Sequence, residues 1–294
     1  MIRDMVLQYA FGGLLAAFQD CRARLLEGAA EIRIRQGLPL ILRTSCGGEA
    51  VLPYSPTARD ISGMLDKMAN SSLYAFDSEI KNGFITIPGG HRVGICGRAA
   101  LEGGRIKTIR NISGLTIRIA RQILGAGDEV LPHISGNCLI ISPPGQGKTT
   151  VLRDIIRLLS LDGRHISVVD ERSEIAGSHL GARQNDLGPR TDVLDAAPKA
   201  EGMLLMLRAH SPDIIAVDEI GDEADISAIM TVACCGVQIL ATLHGENVDD
   251  LRKKPILAPL ISNKIFDRYI FLTNKPNPGS LKAVYSKDLE VVRR

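Results

Sequence analysis

The spacing of apolar residues changes along this chain, and the changes divide it. From residue 1 to about 30 they recur every three to four positions, with Leu7, Ala10, Phe11, Leu14, Leu15 and Phe18 on one face, as in a helix that buries one side. Glu31-Ile32-Arg33-Ile34-Arg35 then alternates with period two, Gln36-Gly37-Leu38-Pro39 supplies a turn, and Leu40-Ile41-Leu42-Arg43 follows, so a hairpin is expected. A second helical stretch runs from about Thr57 through Ala69 and less evenly toward Phe76. Strand patterns return in Gly83-Phe84-Ile85-Thr86-Ile87, in His91-Arg92-Val93-Gly94-Ile95-Cys96 after the turn Pro88-Gly89-Gly90, and in Leu115 to Arg121. Alternation in the last places Thr116, Arg118 and Ala120 opposite Ile117 and Ile119. On pattern alone His91 is a surface turn residue, and Arg92, Arg110, Arg118 and Arg121 are solvated strand residues. Gly125-Ala126-Gly127 is the linker candidate. It sets an N-terminal α+β domain at 1–124 and a second domain at 125–294.

From residue 128 the pattern is that of an α/β sheet. Apolar runs at about 138–141, 166–169, 213–217 and 237–243 are separated by segments long enough for helices, including Glu223 to Cys235 with Ile226, Ile229, Met230 and Ala233 at helical spacing. Near-continuous apolar strands are what a parallel sheet covered on both faces requires. Ligands of such sheets bind outside the strand C-termini, and here each strand ends in polar residues.

The first run, Cys138-Leu139-Ile140-Ile141, leads into Ser142-Pro143-Pro144-Gly145-Gln146-Gly147-Lys148-Thr149-Thr150 and then an amphipathic stretch. A strand, a glycine turn ending in Gly-Lys-Thr and a helix bind nucleotide phosphates. Gly145 and Gly147 let successive N–H groups converge on one anion, and the helix N-terminus adds partial positive charge. Lys148 would reach the β- and γ-phosphates of ATP, and the Thr149 hydroxyl would ligate Mg2+. The usual opening glycine is replaced by Ser142. The third run ends in Asp218-Glu219, where one carboxylate would hold hydrated Mg2+ and the next orient water; the alternative is that both simply favour the start of the following helix. The second run ends in Asp170-Glu171-Arg172-Ser173-Glu174, an acidic cluster or a solvated loop. The fourth ends in Thr242-Leu243-His244-Gly245, where His244 is either a strand-end histidine or a sensor of the γ-phosphate.

Composition narrows the class. The 294 residues are 45% hydrophobic and 23% charged with a net charge of +2, which describes a globular chain with a full core and gives no general argument for nucleic-acid or membrane binding. Six cysteines, at 21, 46, 96, 138, 234 and 235, lack Cys-x-x-Cys spacing, arguing against a zinc site or a disulfide framework. Cys234 and Cys235 read as packing residues, and a reducing cytoplasmic location fits. No apolar run approaches the ~20 residues that span a bilayer, and Met1-Ile2-Arg3-Asp4 does not open a secretory signal.

Four polar boxes in this order resemble the secretion and traffic ATPases of the type II and type IV systems. Met206-Leu207-Arg208-Ala209-His210-Ser211-Pro212-Asp213 is similar to their Leu-Arg-x-x-Pro-Asp stretch, and Thr242-Leu243-His244-Gly245-Glu246-Asn247 to their histidine box. The acidic box departs: the usual Glu-Asp-x-x-Glu is Asp170-Glu171-Arg172-Ser173-Glu174 here, which leaves open whether Glu171 or Glu174 assists water. Glu31 to Gly37, Gly89 to Gly94, Ser113 to Arg121 and the serine opening of the turn resemble the branch of these ATPases that serves endospore formation. The resemblance implies a RecA-like P-loop ATPase domain after the smaller N-terminal domain, in a homo-oligomeric, hexameric ring. It implies Glu219, Glu171, Glu174, His244 and Arg208 as catalytic residues, with Arg208 close to the catalytic edge. Arg92, Arg118 and Arg121 would meet the phosphates through planar guanidinium forks. The function implied is to power or assemble the channel between mother cell and forespore, from the mother-cell cytoplasm and through an integral membrane partner. A nucleic-acid-dependent NTPase is the alternative, disfavoured because aromatic residues that stack bases are only 4% of the chain. A nucleotide-binding scaffold with little turnover is a third reading.

Overall fold

The structure is a computed structural model that describes residues 2–44, 47–69, 80 and 83–293. Two compact units divide it, Met1–Arg121 and Gln122–Arg294. The first opens with three helices, α1 (Ile2–Tyr9), α2 (Gly13–Asp20) and α3 (Ala23–Glu27), where one helical run to about residue 30 was expected. The run breaks at Gly12, whose φ of +55° admits glycine and where a side chain would collide with the Asp60 carboxylate. Asp60 accepts the Gly13 N–H at 3.0 Å and completes a capping box with Thr57 at the start of α4 (Ala58–Met68). The expected continuation of this helix toward Phe76 lies outside the described residues.

Six antiparallel strands complete the unit: β1 (Ala29–Arg35), β2 (Leu40–Thr44), β3 (Glu49–Leu52), β4 (Phe84–Ile87), β5 (His91–Glu102) and β6 (Arg105–Arg118), in the spatial order β3-β2-β1-β6-β5-β4. The expected hairpin is β1–β2. Its alternation sends Ile32, Ile34, Leu40 and Leu42 into a core shared with Leu14, Phe18, Ile61 and Met64, while Glu31, Arg33 and Arg43 stay on the other face. Ile119, Ala120 and Arg121 lie past the end of β6 rather than in a strand. His91 is not a surface turn residue: it opens β5, is partly buried, and its Nδ1 accepts the Ala120 N–H at 3.0 Å. Burial pushes its pKa down.

The second unit is a sheet of eight strands: β7 (Cys138–Ser142), β8 (Ile166–Asp170), β9 (Thr191–Asp195), β10 (Ile214–Val217), β11 (Gln238–His244), β12 (Arg268–Thr273), β13 (Ser280–Ser286) and β14 (Val291–Arg293). Their order is β14-β13-β12-β7-β11-β10-β8-β9. Pairing is parallel from β12 to β9, and β13 and β14 add an antiparallel edge. Every residue of β7, β8 and β10 is buried. On one face lie Val151, Leu152 and Ile155 of α5 (Lys148–Leu161) against Ile140 and Val168. On the other lie Met203 of α6 (Lys199–His210) and Ile226 and Ile229 of α7 (Glu223–Cys234) against Leu139 and Ile215. The fold is thus α/β, a largely parallel sheet with helices on both faces preceded by an α+β unit. Cys234 and Cys235, expected to pack, are exposed where α7 ends. Among the described residues no helix is long and apolar enough to cross a membrane.

Candidate nucleotide site

β7, β11, β10 and β8 are parallel neighbours, so their C-terminal ends share one edge. The turn after β7 starts at buried Ser142, whose hydroxyl donates to the Pro143 carbonyl at 3.0 Å. Pro143 and Gln146 are half-buried, while Pro144 and Gly145 are exposed. Gly145 has φ +72°, and Gly147, at φ +85°, caps α5 with no side-chain hydrogen bond. A Cβ on Gly147 would lie 2.9 Å from the Gly279 nitrogen, so the loop before β13 presses on the turn. α5 has no acidic residue in its first turn, which leaves its N-terminal dipole to an anion.

Lys148 is buried, and its ammonium donates to the carbonyls of Ser142 at 3.0 Å and Pro143 at 3.3 Å and contacts His244 Nδ1 at 2.8 Å. Burial pushes its pKa down. An ammonium has no lone pair, so Nδ1 accepts and the proton of neutral His244 resides on Nε2. Nε2 in turn lies 2.8 Å from Glu219 Oε1, and Glu219 Oε2 receives Arg172 Nη1 at 2.9 Å. Lys148, His244, Glu219 and Arg172 therefore form one continuous contact chain.

Asp218 sits beside it. Thr149 Oγ1 donates to Asp218 Oδ2 at 2.6 Å, and the Thr242 hydroxyl donates to the other carboxylate oxygen. Thr242 Oγ1 also accepts the Glu219 N–H at 2.8 Å, which fixes Glu219 at φ +50°. Hydroxyl and carboxylate oxygens are hard donors of the kind magnesium prefers. Among the described residues no group of three or more His, Cys, Asp or Glu side chains is placed to hold a metal. Thr149 and Asp218 accordingly fit an ion that takes its remaining ligands from phosphate and water.

The acidic box divides by burial. Asp170, the last residue of β8, is turned inward and accepts the N–H groups of Glu174 at 2.8 Å, Ile175 at 3.0 Å and Ala176 at 2.7 Å. Desolvation raises its pKa to about 6 despite these bonds. Glu171 faces outward and pairs with Lys199 Nζ at 2.5 Å. Glu171, Glu174, Asp218 and Glu219 line one small cavity with Asp170, Arg172 and Lys199. Thr150 lies in the first turn of α5, beside Thr149.

One expected site residue of this unit, Arg208, is not brought to this edge. Arg208 lies in the last turn of α6 and donates to the Leu204 carbonyl at 3.0 Å. That end of the helix leads into the start of β10, so Arg208 is at the opposite edge of the sheet, which corrects its expected place near the catalytic edge. Arg92, Arg118 and Arg121 belong to the other unit. The Arg92 guanidinium lies 4.3 Å from the Phe84 ring centroid, Arg118 Nε is 3.9 Å from Glu31, and Arg121 donates to the Glu27 and Ala29 carbonyls at 2.5 and 3.0 Å. Sequence reading missed the partners Arg172, Lys199, Thr242 and Lys254, the last of which donates to the His244 carbonyl. Of these only Thr242 carried a signal, as a hydroxyl at the end of an aliphatic strand.

The family described as "Sporulation stage III, protein AA" matches residues 19–292. The chain is 42% identical over 273 residues to the stage III sporulation protein AA of Bacillus subtilis (strain 168), covering 90% of this chain and 89% of that protein. It is 32% identical over 139 residues to a putative type II secretion system protein E of Escherichia coli (strain K12), covering 46% of this chain and 26% of that one. Its fold matches the X-ray structure of the Legionella pneumophila ATPase DotB with a TM-score of 0.57 at 18% identity, over 83% of this chain and 72% of that chain.

Proposed function

Because the chain belongs to the sporulation stage III, protein AA family, we propose that it is an ATP-hydrolysing, secretion-type motor that powers or assembles the channel between mother cell and forespore. One observation carries this reading: the Lys148–His244–Glu219–Arg172 chain beside the Thr149–Asp218 pair, at the C-terminal ends of neighbouring parallel strands. The similarity to a type II secretion system protein and to the ATPase DotB supports the same class.

Lys148 is the cation that the β- and γ-phosphate oxygens of ATP recruit, in exchange for the carbonyls and the imidazole it now contacts. Turning toward phosphate removes the donor from His244 Nδ1, so that His244 and its bond to Glu219 respond to the γ-phosphate. Glu219 is then the carboxylate that orients the attacking water, assisted by Glu171 or Glu174 across the shared cavity. Thr149 and Asp218 would hold magnesium, whose charge offsets that of the phosphoryl oxygens when bound. The N–H groups of the turn from Ser142 to Thr150 cradle the phosphates. Arg92, Arg118 and Arg121 serve as phosphate contacts from the N-terminal unit, in this subunit or a neighbour of a hexameric ring. The ring acts from the mother-cell cytoplasm on an integral membrane partner.

Phosphate release from ATP by the purified chain, with and without single-stranded DNA, tests this reading with Lys148→Ala as the blank. Turnover is expected to need Lys148, to ignore DNA, and to fall about 100-fold or more in Glu219→Gln. Turnover that survives Lys148→Ala would overturn the site assignment. Strict dependence on DNA would overturn the secretion-type motor, and unchanged turnover in Glu219→Gln would remove that residue from the mechanism.

A further inference from the structure

β5 and β6 run past the sheet to which they belong. Pairing of β6 with β1 ends at Gly114↔Arg35, and pairing of β5 with β4 ends at Gly94↔Phe84. From Arg98↔Arg110 to Glu102↔Arg105 the two strands pair with each other alone among the described strands. Ile109 and Ile112 lean on the core of the N-terminal unit, which leaves two rungs of this ribbon unexplained by folding.

The outer rung is Leu101↔Ile106, with 66% and 52% of each residue exposed beside the turn Gly103-Gly104. The inner rung is Arg98↔Arg110, two exposed guanidinium groups directly across from one another. Like charges so placed are unfavourable, and among the described residues neither has an ion pair or a side-chain hydrogen bond to relieve it. Residues 97–112 hold Arg98, Arg105, Lys107 and Arg110 against Glu102 alone, a net charge of +3 where the whole chain carries +2. Glu102 is engaged by Lys107 at 2.7 Å.

We propose that this ribbon docks the chain onto an anionic lipid surface, with Leu101 and Ile106 entering the headgroup region and Arg98 and Arg110 meeting lipid phosphates. The spacing fits. Three residues of strand separate the rungs by about 10 Å, and interfacial segments bury their apolar side about 5–10 Å into the boundary between headgroups and acyl chains. Arginines behind such a tip lie level with the phosphates, which they bind through planar forks. Single-stranded nucleic acid fits less well, since residues 97–112 contain no aromatic side chain to stack a base.

Sedimentation of the full chain with phosphatidylcholine vesicles, with and without phosphatidylglycerol, tests the proposal at low and high salt. Binding is expected only to the anionic vesicles and weakens as salt rises. Arg98→Ser with Arg110→Ser lowers it about 25-fold, from roughly fivefold per charge, and Leu101→Ser with Ile106→Ser lowers it about tenfold or more. ATP turnover in solution and the circular dichroism spectrum stay as in the parent, which separates lost docking from lost folding. Failure to bind anionic vesicles, equal binding to neutral ones, or full binding by either double variant overturns it. So does tighter salt-matched binding of an oligonucleotide that the same arginine replacements abolish.

Discussion

Asp170 is a carboxylate that the fold holds against its own preference, and replacing it with asparagine exposes the size of that opposition. Its side chain is 2% exposed, and desolvation lifts its pKa from an ordinary 3.8 to about 6, although three backbone N–H groups favour the ionised form. Between those two values the folded chain binds a proton that the unfolded chain has released. Stability contributed at this site is therefore greatest below about pH 4 and falls as pH rises through the folded pKa. At ~1.4 kcal/mol per pH unit the gap is worth about 3 kcal/mol. Asp170→Asn has no such proton, and it also loses an acceptor to one of the three N–H groups, so its absolute stability carries a constant offset. The difference between the two proteins removes that offset. Urea unfolding of parent and variant from pH 4 to 7.5 should show the parent losing about 3 kcal/mol relative to Asp170→Asn, mostly between pH 4 and 6. Parallel curves would show that Asp170 titrates as a solvated acid, and a parent that gains relative stability with pH would show that the three N–H bonds outweigh desolvation; either result refutes the reasoning.

Two further perturbations probe the phosphate turn. Gly147→Ala places a methyl group 2.9 Å from the Gly279 nitrogen at a φ of +85°; strain of this kind costs about 1–3 kcal/mol, and thermal unfolding should show that loss together with weakened nucleotide binding, whereas Gly145→Ala, with no atom within 4 Å, should lose only the smaller cost of its backbone angle. Thr149→Val removes the hydroxyl that meets Asp218 at 2.6 Å; at about 1.5–3 kcal/mol for a bond to a charged group, the magnesium concentration giving half-maximal ATP turnover should rise tenfold or more, while Thr149→Ser stays close to the parent, and equal magnesium curves for Val and Ser would remove Thr149 from the metal site.

What the chain reveals about itself depends on how local the cause is. The strands around the site are legible because burial on both faces leaves Cys138-Leu139-Ile140-Ile141 and Ile214-Ile215-Ala216-Val217 without polar residues. β9 and β3 escape notice because they are edge strands with exposed polar positions, Asp192 and Glu49 among them. The break at Gly12 is invisible locally, since the Asp60 carboxylate that requires it arrives from α4. Lys148, Thr149, Asp218, Glu219 and His244 stand out because each follows an apolar strand, whereas Arg172 and Lys199 acquire meaning only from the carboxylates they reach in space. Asp170 and Glu171 are neighbours of the same charge, and only the pleat, which turns one inward and the next outward, separates the acid that holds the loop's N–H groups from the one that pairs with Lys199.

Arg208 is a different case, because its place follows from connectivity already written in the sequence. A helix that leads into a parallel strand delivers its last turn to the strand's beginning. Ser211-Pro212-Asp213 joins α6 directly to β10, and β10 must be crossed before Asp218 is reached. Four strand residues span about 13 Å, too far for an arginine at the wrong end of the sheet to meet a phosphate held by Lys148. The similarity of a Leu-Arg-x-x-Pro-Asp stretch identified the segment, but the direction of the chain decides which of its ends faces the chemistry, and it is the Lys199 end that reaches Glu171.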